Sequence, residues 1–532
     1  MDAILTGLSA LLQWQTWLAI ILGLMMGTVV GAIPGLGPNT ALAIAIPLCY
    51  GLDPLFTLPF MMAIYKSCTY GGSISAVTIN TPGTAANVAT CWDGYPMTKK
   101  GKPGRALMLS LYSSEFGDMF SNIVLILFCV PLATLALQFG PAEYTAIYVF
   151  SLLITATLAG GGSAIKGLIS TVLGLLFACV GMDPIAGLPR FDVFGLGKFD
   201  QIDTVAFLLG AFALTEVFEQ VTGVKKKEQA LRRMTPEERK ADKEEARKAF
   251  TIAKAAIKES NKALTWRELL SKYWTVLVRE SIVGAIVGII HGIGSNVGSL
   301  FSYALTKSVS KHPEKFGTGC DEGVIAPEAS NNAVCGANIL PLITLGIPGN
   351  PIAALFGAAM LMNGIIVGPN VFETSGDILY GLFAAMVVAT IGMYVVGKYV
   401  FVRASSYITT VPLKLLYPAV LLFSLVGTYS VNQRMSDVCV MVFVAIISCF
   451  MRRWGVSVAP MVIAFVLGRS IESNLRQAVL VSGGEIGYFF SSPLGNVFYV
   501  LAVVVVLLPL IRKVLSKRSK TLRMLEENDE VE

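Results

Sequence analysis

Long apolar stretches alternate with short polar segments along the chain, a pattern typical of a protein that crosses a membrane several times. Among the apolar runs are Asn122–Phe139, Val205–Val221 and Asn496–Leu510. Runs of this kind suit helices that cross a hydrocarbon core about 30 Å thick. The pattern therefore predicts an all-α polytopic membrane protein.

Composition supports the same class. Hydrophobic residues make up 54% of the 532 residues and charged residues only 14%, whereas soluble domains carry about a quarter charged residues. The net charge of +6 does not indicate a nucleic-acid partner, because many of the basic residues fall in one insert. Two histidines leave little material for a metal site, so we expect no metal or other cofactor. The N-terminus lacks the basic segment of a cleaved signal peptide and is expected to belong to the mature chain.

Two regions of the chain resemble two later ones. Ile33–Leu48 and Ile290–Leu305 share the frame I-x-G-x-G-x-N, and Ala76–Ala89 matches Leu342–Leu355 with their Pro-Gly pairs in register. The offsets, 257 and 266 residues, differ by nine, which the loop KHPEKFGTGC of the second copy accounts for. The matching order predicts an internal repeat.

Loop charges predict opposite orientations for the two copies. After the G-x-G-x-N segment, the first copy has the uncharged-to-acidic turn GLDP, whereas the second has Lys307, Lys311 and Lys315. After the Pro-Gly segment, the first copy has KKGKPGR and the second has VGPNVFETSGD without a base. Because basic loops stay in the cytoplasm, the copies are predicted to be inverted repeats. The N-terminus is then outside and the C-terminus inside.

The predicted repeats divide the chain into five parts. They are a first repeat with broken helices (1–105), further membrane helices of the first half (106–224), a charged cytoplasmic linker helix (225–272), the second repeat (273–377), and C-terminal membrane helices with a cytoplasmic tail (378–532). Thr235-Pro236-Glu237-Glu238 is a good start for the linker helix. The linker either rests on anionic headgroups or contacts a regulatory partner.

Glycine and proline crowd into segments where a simple spanning helix would exclude them: IPGLGP, YGGS, NTPGT, GIGSN and LGIPGNP. Breaks in membrane helices free backbone groups that must be satisfied by protein, water or ligand. They also expose helix N-termini, which attract anions. We therefore predict re-entrant or broken helices around a shared anion site near the membrane midplane, where glycine permits close backbone approach to a ligand.

The candidate binding residues are the polar groups and glycines of these segments. They are Gly37, Asn39, Thr40, Ser73, Asn80, Thr81, Gly83, Thr84 and Asn87 in the first copy, and Gly294, Ser295, Asn296, Asn331, Asn332, Asn338, Thr344, Gly349 and Asn350 in the second. The alternative is that these groups only cap the breaks and pack helices.

Lys66 is a charged residue in an apolar context, FMMAIYKSCTYGGS. No acidic residue lies within one helical turn of it, and a buried ammonium needs a partner. Lys66 is therefore either a binding residue for a substrate carboxylate or an anchor whose ammonium reaches an interface. Glu328 and Asp93 are read as structural hydrogen-bonding groups.

Sequence motifs give little support for an enzyme. Ser163-Ala-Ile-Lys166 and Ser308-Val-Ser-Lys311 match S-x-x-K, but no partner motif follows. The chain has no HExxH, GxSxG or GxxxxGK[ST] motif. Without a nucleotide-binding motif, transport would be driven by an ion gradient.

Several segments resemble the large membrane subunit of the tripartite tricarboxylate transporters. The most distinctive are EGVIAPEASNN and PLITLGIPG, with GAIPGLGPNTALAIAIPLCYGLDP, TYGGSISAVTINTPGTAANVA and PMVIAFVLGRSIESNLRQAVLVSGG beside them. The similarity extends from about Gly31 to Ser492. The chain departs from the family pattern at Lys66-Ser67-Cys68, at His291, and in the length of its insert.

The resemblance implies uptake of a carboxylate such as citrate, or another tricarboxylate or dicarboxylate, by symport with Na⁺ or H⁺. It also implies a periplasmic solute-binding protein, a small membrane subunit, and a place in the bacterial inner membrane with a periplasmic N-terminus and a cytoplasmic C-terminus. A transporter of a different small organic anion, an anion-selective channel and an intramembrane enzyme are the alternatives.

Overall fold

The computed structural model describes residues 2–160, 163–183, 187–191, 201–222, 264–402 and 413–507. The described residues are mainly α-helical. One short antiparallel hairpin pairs Gly181–Met182 with Pro189–Arg190. Most of the predicted linker helix and the predicted C-terminal tail lie outside the described residues.

The first half contains helices that we number in chain order. They are α1 (Asp2–Ser9), α2 (Trp14–Ala32), α3 (Pro38–Leu48), α4 (Pro54–Ile79), α5 (Val88–Lys99), α6 (Pro103–Ala136), α7 (Pro141–Leu158), α8 (Ala164–Ala178) and α9 (Thr204–Thr222). A short 3₁₀ helix, Ala85–Asn87, leads into α5. Within α9, Leu209–Leu214 is π-helical.

The second half continues the numbering. It contains α10 (Trp266–Ile289), α11 (Gly294–Val309), α12 (Asp321–Ala337), α13 (Ile339–Leu345), α14 (Pro351–Met362), α15 (Val371–Val396), α16 (Leu413–Asn432), α17 (Met435–Arg453), α18 (Ala459–Val481) and α19 (Pro493–Leu507). A π-helical turn, Gly397–Phe401, extends α15.

Six helices among the described residues are long and apolar enough to cross a membrane. They are Trp14–Ala32, Pro103–Ala136, Pro141–Leu158, Thr204–Thr222, Val371–Phe401 and Met435–Arg453. The exposed large hydrophobic side chains, among them Leu127, Phe128, Ile286 and Val395, suit contact with lipid rather than water. The prediction of an all-α multi-pass membrane protein is confirmed.

The chain folds into two compact units. One contains residues 1–137 and 203–450, and the other contains residues 138–202 and 451–532. In the second unit, α18 packs on α7 and α8, and Arg476 binds Asp183 at 2.9 Å. All the candidate binding residues belong to the first unit, so its geometry is the geometry that matters for function.

The predicted helix breaks are present at four of the five Gly/Pro segments. The backbone leaves helical geometry between α2 and α3, between α4 and the 3₁₀ helix, between α10 and α11, and between α13 and α14. YGGS was expected to be a break, but Tyr70–Ser73 lies inside uninterrupted α4. Its glycines serve close packing instead, because a Cβ on Gly71 would lie 2.5 Å from the Thr28 carbonyl oxygen.

The breaks of the two copies share backbone details at the offsets of the two repeated segments. The Gly35 amide donates to the Gly83 carbonyl at 3.3 Å, and 257 residues later the Gly292 amide donates to the Gly349 carbonyl at 2.8 Å. Gly35 and Gly292 both have positive φ, 89° and 79°. In each copy, an equivalent hydrogen bond therefore holds the G-x-G segment against the Pro-Gly tip.

Helices α4 and α12 run antiparallel past each other. Asn338, at the C-cap of α12, donates to the Tyr65 hydroxyl at 2.7 Å, and Ser73 donates to Glu328 at 2.6 Å. Between these contacts, the Cys335 thiol lies 3.7 Å from the Thr69 hydroxyl. Thr69 and Cys335 are themselves 266 residues apart, the offset of the second repeated segment.

Helices α6 and α15 also run antiparallel. The rings of Tyr112 and Tyr394 are 5.7 Å apart, and Asn122, farther along α6, donates to Thr390, an earlier residue of α15, at 2.8 Å. The start of α15 therefore lies at the opposite end of the unit from the start of α6.

Candidate functional site

The four breaks surround one cavity of about 390 Å³. Its lining comes from both copies of the repeat: Gly35, Gly37, Pro38, Asn39, Thr69, Gly83, Thr84, Ala85, Gly294, Ser295, Asn296, Asn331, Asn350, Pro351 and Ile352. The volume lies within the range of small-molecule sites, about 300–1,000 Å³. The structure thus brings together segments that lie up to 317 residues apart in sequence (35 to 352).

Four helical segments begin at this cavity. Gly37 precedes α3, Thr84 precedes the 3₁₀ helix that leads into α5, Gly294 starts α11, and Asn350 caps α14. None of the lining residues is ionisable. Since a helix N-terminus carries about half a positive charge, the converging ends favour an anion without a fixed cation in the lining.

Asn39 and Asn331 carry polar atoms that no neighbour satisfies. Asn39 Oδ1 and both side-chain polar atoms of Asn331 are buried and have no hydrogen-bond partner among the described residues. Both asparagines line the cavity. Buried amide groups normally have partners, so these two are available to a ligand or to water inside the cavity.

The glycines of the site differ in what surrounds them. A Cβ on Gly37 would have no atom within 4 Å, so this position opens into free space. A Cβ on Gly83 would collide with the Gly31 carbonyl oxygen and lie 2.5 Å from Gly72 Cα. Close ligand approach is therefore a sufficient reason for glycine at Gly37, whereas backbone packing already requires glycine at Gly83.

A buried carboxylate lies behind the cavity wall. Glu328 accepts hydrogen bonds from Ser73 at 2.6 Å, Asn87 at 3.2 Å and Ser114 at 3.0 Å, and also from Thr90. Thr84, which lines the cavity, donates to Asn87 at 2.5 Å. Ser73 and Asn87 therefore hold the wall through Glu328 and do not line the cavity.

A second buried carboxylate, Asp93, anchors a loop. It accepts hydrogen bonds from the Tyr303 hydroxyl and from the amides of Gly317, Gly319 and Cys320, all between 2.8 and 3.1 Å. The contacts of Glu328 and of Asp93 are consistent with the structural role predicted for both residues.

Other predicted binding residues lie outside the lining. Asn332 donates to the Glu328 carbonyl, Asn338 to Tyr65, and Thr344 to the Leu340 carbonyl. Thr40 is buried in α3, and Asn80 ends α4 with a φ of 55°. Thr81 is exposed, and the Gly349 carbonyl is engaged by Gly292.

Lys66 has a protein partner, contrary to the sequence argument. Its ammonium lies 2.8 Å from Asp118 Oδ2, and both side chains are fully buried. No acidic residue lies within one turn of Lys66 on α4, and its partner Asp118 comes from α6, 52 residues along the chain. Lys66 neither lines the cavity nor reaches an interface.

Two groups of polar residues are not among the candidates predicted from the sequence. Thr69 lines the cavity from α4, and Asp118, Asn122 and Thr390 surround the Lys66 ammonium. The acidic residues of SLYSSEFGDMFSN, which lies within the predicted membrane helices of the first half, were the available signal for the second group. The described part of the chain holds no cluster of three or more His, Cys, Asp or Glu residues suited to a metal ion.

Comparison with known proteins adds a family match. The sequence model of the tripartite tricarboxylate transporter TctA family matches residues 17–463. An uncharacterised 52.8 kDa protein encoded in the TAR-I ttuC′ 3′ region of Agrobacterium vitis is 32% identical over 498 residues, 94% of each chain. A second Agrobacterium vitis protein, from the TAR-II ttuC′ 3′ region, is 33% identical over 237 residues, 44% of this chain and 98% of its own length. No solved structure matches.

Proposed function

Because the chain belongs to the tripartite tricarboxylate transporter TctA family, we propose that it takes up a tricarboxylate or dicarboxylate, such as citrate, by symport with Na⁺ or H⁺. The chain acts as the large membrane subunit. A small membrane subunit and a periplasmic solute-binding protein are its partners, and the bacterial inner membrane is its location. The cavity between the four breaks is the substrate site.

The observation that carries this proposal is the convergence of four helix N-termini on one cavity without an ionisable lining residue. Such ends bind carboxylates through backbone amides and the helix dipole. Asn39 and Asn331, whose buried polar atoms have no partner among the described residues, add side-chain contacts. A neutral lining also lets the anion leave, since no fixed countercharge holds it.

The architecture supports alternating access by inverted repeats. The equivalent helices α4 and α12 pass each other antiparallel. Helix α6 follows the first copy and helix α15 follows the second, and these two helices also run antiparallel. Both copies contribute a G-x-G segment and a Pro-Gly tip to the cavity region. A site shared by two opposed repeats can open to either side when one repeat moves against the other.

Transport by the purified complex tests the proposal. Proteoliposomes that contain this chain, the small subunit and the binding protein should exchange labelled citrate or a dicarboxylate with saturable kinetics. Imposed Na⁺ and pH gradients, applied separately, identify the coupling ion. Flux that does not saturate and does not require the binding protein would instead show an anion channel, and liposomes without protein measure leakage.

A further inference from the structure

The Lys66 ammonium occupies a cage of oxygen atoms. It lies 2.8 Å from Asp118 Oδ2, 2.7 Å from Asn122 Oδ1 and 3.1 Å from Thr390 Oγ1. The Met386 carbonyl oxygen is 3.4 Å away. An ammonium has three hydrogens to donate, so each of them has an acceptor, and the four oxygens come from α6 and α15.

The cage is held together without the lysine. Asn122 donates to Thr390 at 2.8 Å, and Thr390 lies within hydrogen-bond distance of Asp118 Oδ2, at 2.5 Å. Asp118 Oδ1 is buried and has no hydrogen-bond partner among the described residues. The oxygens are therefore positioned by one another, and a further carboxylate oxygen is available next to them.

Such a donor set is the one that a hard cation prefers. Oxygen ligands from a carboxylate, an amide, a hydroxyl and a backbone carbonyl bind cations such as Ca²⁺ and Mg²⁺ in proteins, and a single aspartate balances a single positive charge. Glu115 lies one turn before Asp118 on α6 and is also buried. In the second copy, the residue 266 positions after Lys66 is the neutral Asn332.

We propose that the Lys66 ammonium is a tethered cation in a site that would otherwise accept Na⁺. This inference rests on the proposed cation-coupled transport. While the Lys66 ammonium fills the site, the site adds no Na⁺ dependence to that transport. Removing the ammonium while keeping the oxygens should create a Na⁺ site between α6 and α15. A salt bridge that only joins helices would leave no such site.

Thermal unfolding of the purified chain tests this without any transport. Lys66→Ala leaves both the oxygens and space for an ion. In choline chloride it should unfold several degrees below wild type, because Asp118 is buried without a countercharge. NaCl at the same ionic strength should raise its melting temperature by several degrees more than it raises that of wild type, as expected for a ligand that binds only the folded state. If Lys66→Ala melted at the same temperature in NaCl and in choline chloride, the proposal would be overturned. A melting temperature that rose equally with every added salt, choline chloride included, would also overturn it.

Two variants control for the site. Lys66→Ala combined with Asp118→Asn lacks the carboxylate, and Lys66→Met fills the space, so neither should gain the Na⁺ response. A Na⁺ response of the same size in either variant would place the ion elsewhere and overturn the proposal.

If Lys66→Ala cannot be purified, Lys66→Asn in membrane vesicles provides a second measurement. Carboxylate uptake by this variant should be at least tenfold faster in Na⁺ than in choline, and this ratio should exceed the ratio measured for wild type. Equal ratios in the variant and in wild type would overturn the proposal. Absence of carboxylate uptake by wild type would contradict the proposed function, whereas the melting experiment would still decide the role of Lys66.

Discussion

At the scale of single residues, Gly37 is where a side chain would change the cavity with the least effect on the fold. Its backbone is extended, with φ of −96° and ψ of −179°, which a β-branched residue adopts easily. Gly37→Val should therefore raise the apparent KM for the transported carboxylate by about tenfold, or about 1.4 kcal/mol of binding, and leave the melting temperature near wild type.

Gly487 provides the matched control for this prediction. A Cβ there also meets no atom within 4 Å, and the residue does not line the cavity. Initial-rate uptake over a range of substrate concentrations should show normal kinetics for Gly487→Val. An unchanged KM in Gly37→Val would show that the cavity around α3 does not hold the substrate.

Glu328 is a buried carboxylate that we expect to stabilise the fold through its hydrogen bonds. Four side chains donate to its two oxygens, and an amide in place of the carboxylate would point its NH₂ group at donors. Glu328→Gln should lower the free energy of unfolding by about 1–3 kcal/mol, measured as a lower melting temperature in detergent. Glu322→Gln, on the same helix, replaces an acceptor of one hydrogen bond from Ser310 and should change melting little. Similar melting of both variants would argue that the Glu328 contacts contribute little to stability.

At the scale of helices and breaks, the two Pro-Gly tips have similar sequences and different surroundings. A Cβ on Gly83 would overlap backbone atoms of α2 and α4, whereas the nearest atoms to a Cβ on Gly349 are those of His291 at 3.8 Å. Gly83→Ala should therefore destabilise the protein by about 1–3 kcal/mol, and Gly349→Ala should be tolerated. The folded fraction of each variant, measured by fluorescence-detected size-exclusion chromatography, decides this. Equal folded fractions would contradict the packing argument.

The same elements show what a sequence can and cannot predict. Glycine and proline act on the local backbone, so IPGLGP and NTPGT located real ends of helices α2 and α4. YGGS failed as a break because small residues also allow helices to approach closely, as Gly71 does against Thr28. The acidic residues near Asp118 are visible in the sequence, but the pairing of Asp118 with Lys66 depends on the rotation of α4 against α6, which is set by packing between distant segments.

At the scale of the whole molecule, the direction of each repeat across the membrane is the property on which the mechanism depends. The ion pair of Arg105 with Asp321, at 2.6 Å, joins the starts of α6 and α12. It therefore places the preceding loops, which contain Lys100 and Lys315, at one end of the first unit. Glu373 lies near the start of α15, at the opposite end, because α15 runs antiparallel to α6.

Topology reporters test this arrangement in the membrane. Fusions at Lys100 and Lys315 should both report the cytoplasm, because basic loops are retained there, and a fusion at Glu373 should report the periplasm. Alkaline phosphatase, active only outside the cytoplasm, and a fluorescent protein that matures only inside it give opposite readouts at each position. Glu373 on the same side as Lys100 would rule out the inverted repeat. The two repeats would then have the same orientation in the membrane, and opposed movement of inverted repeats could not provide access from both sides.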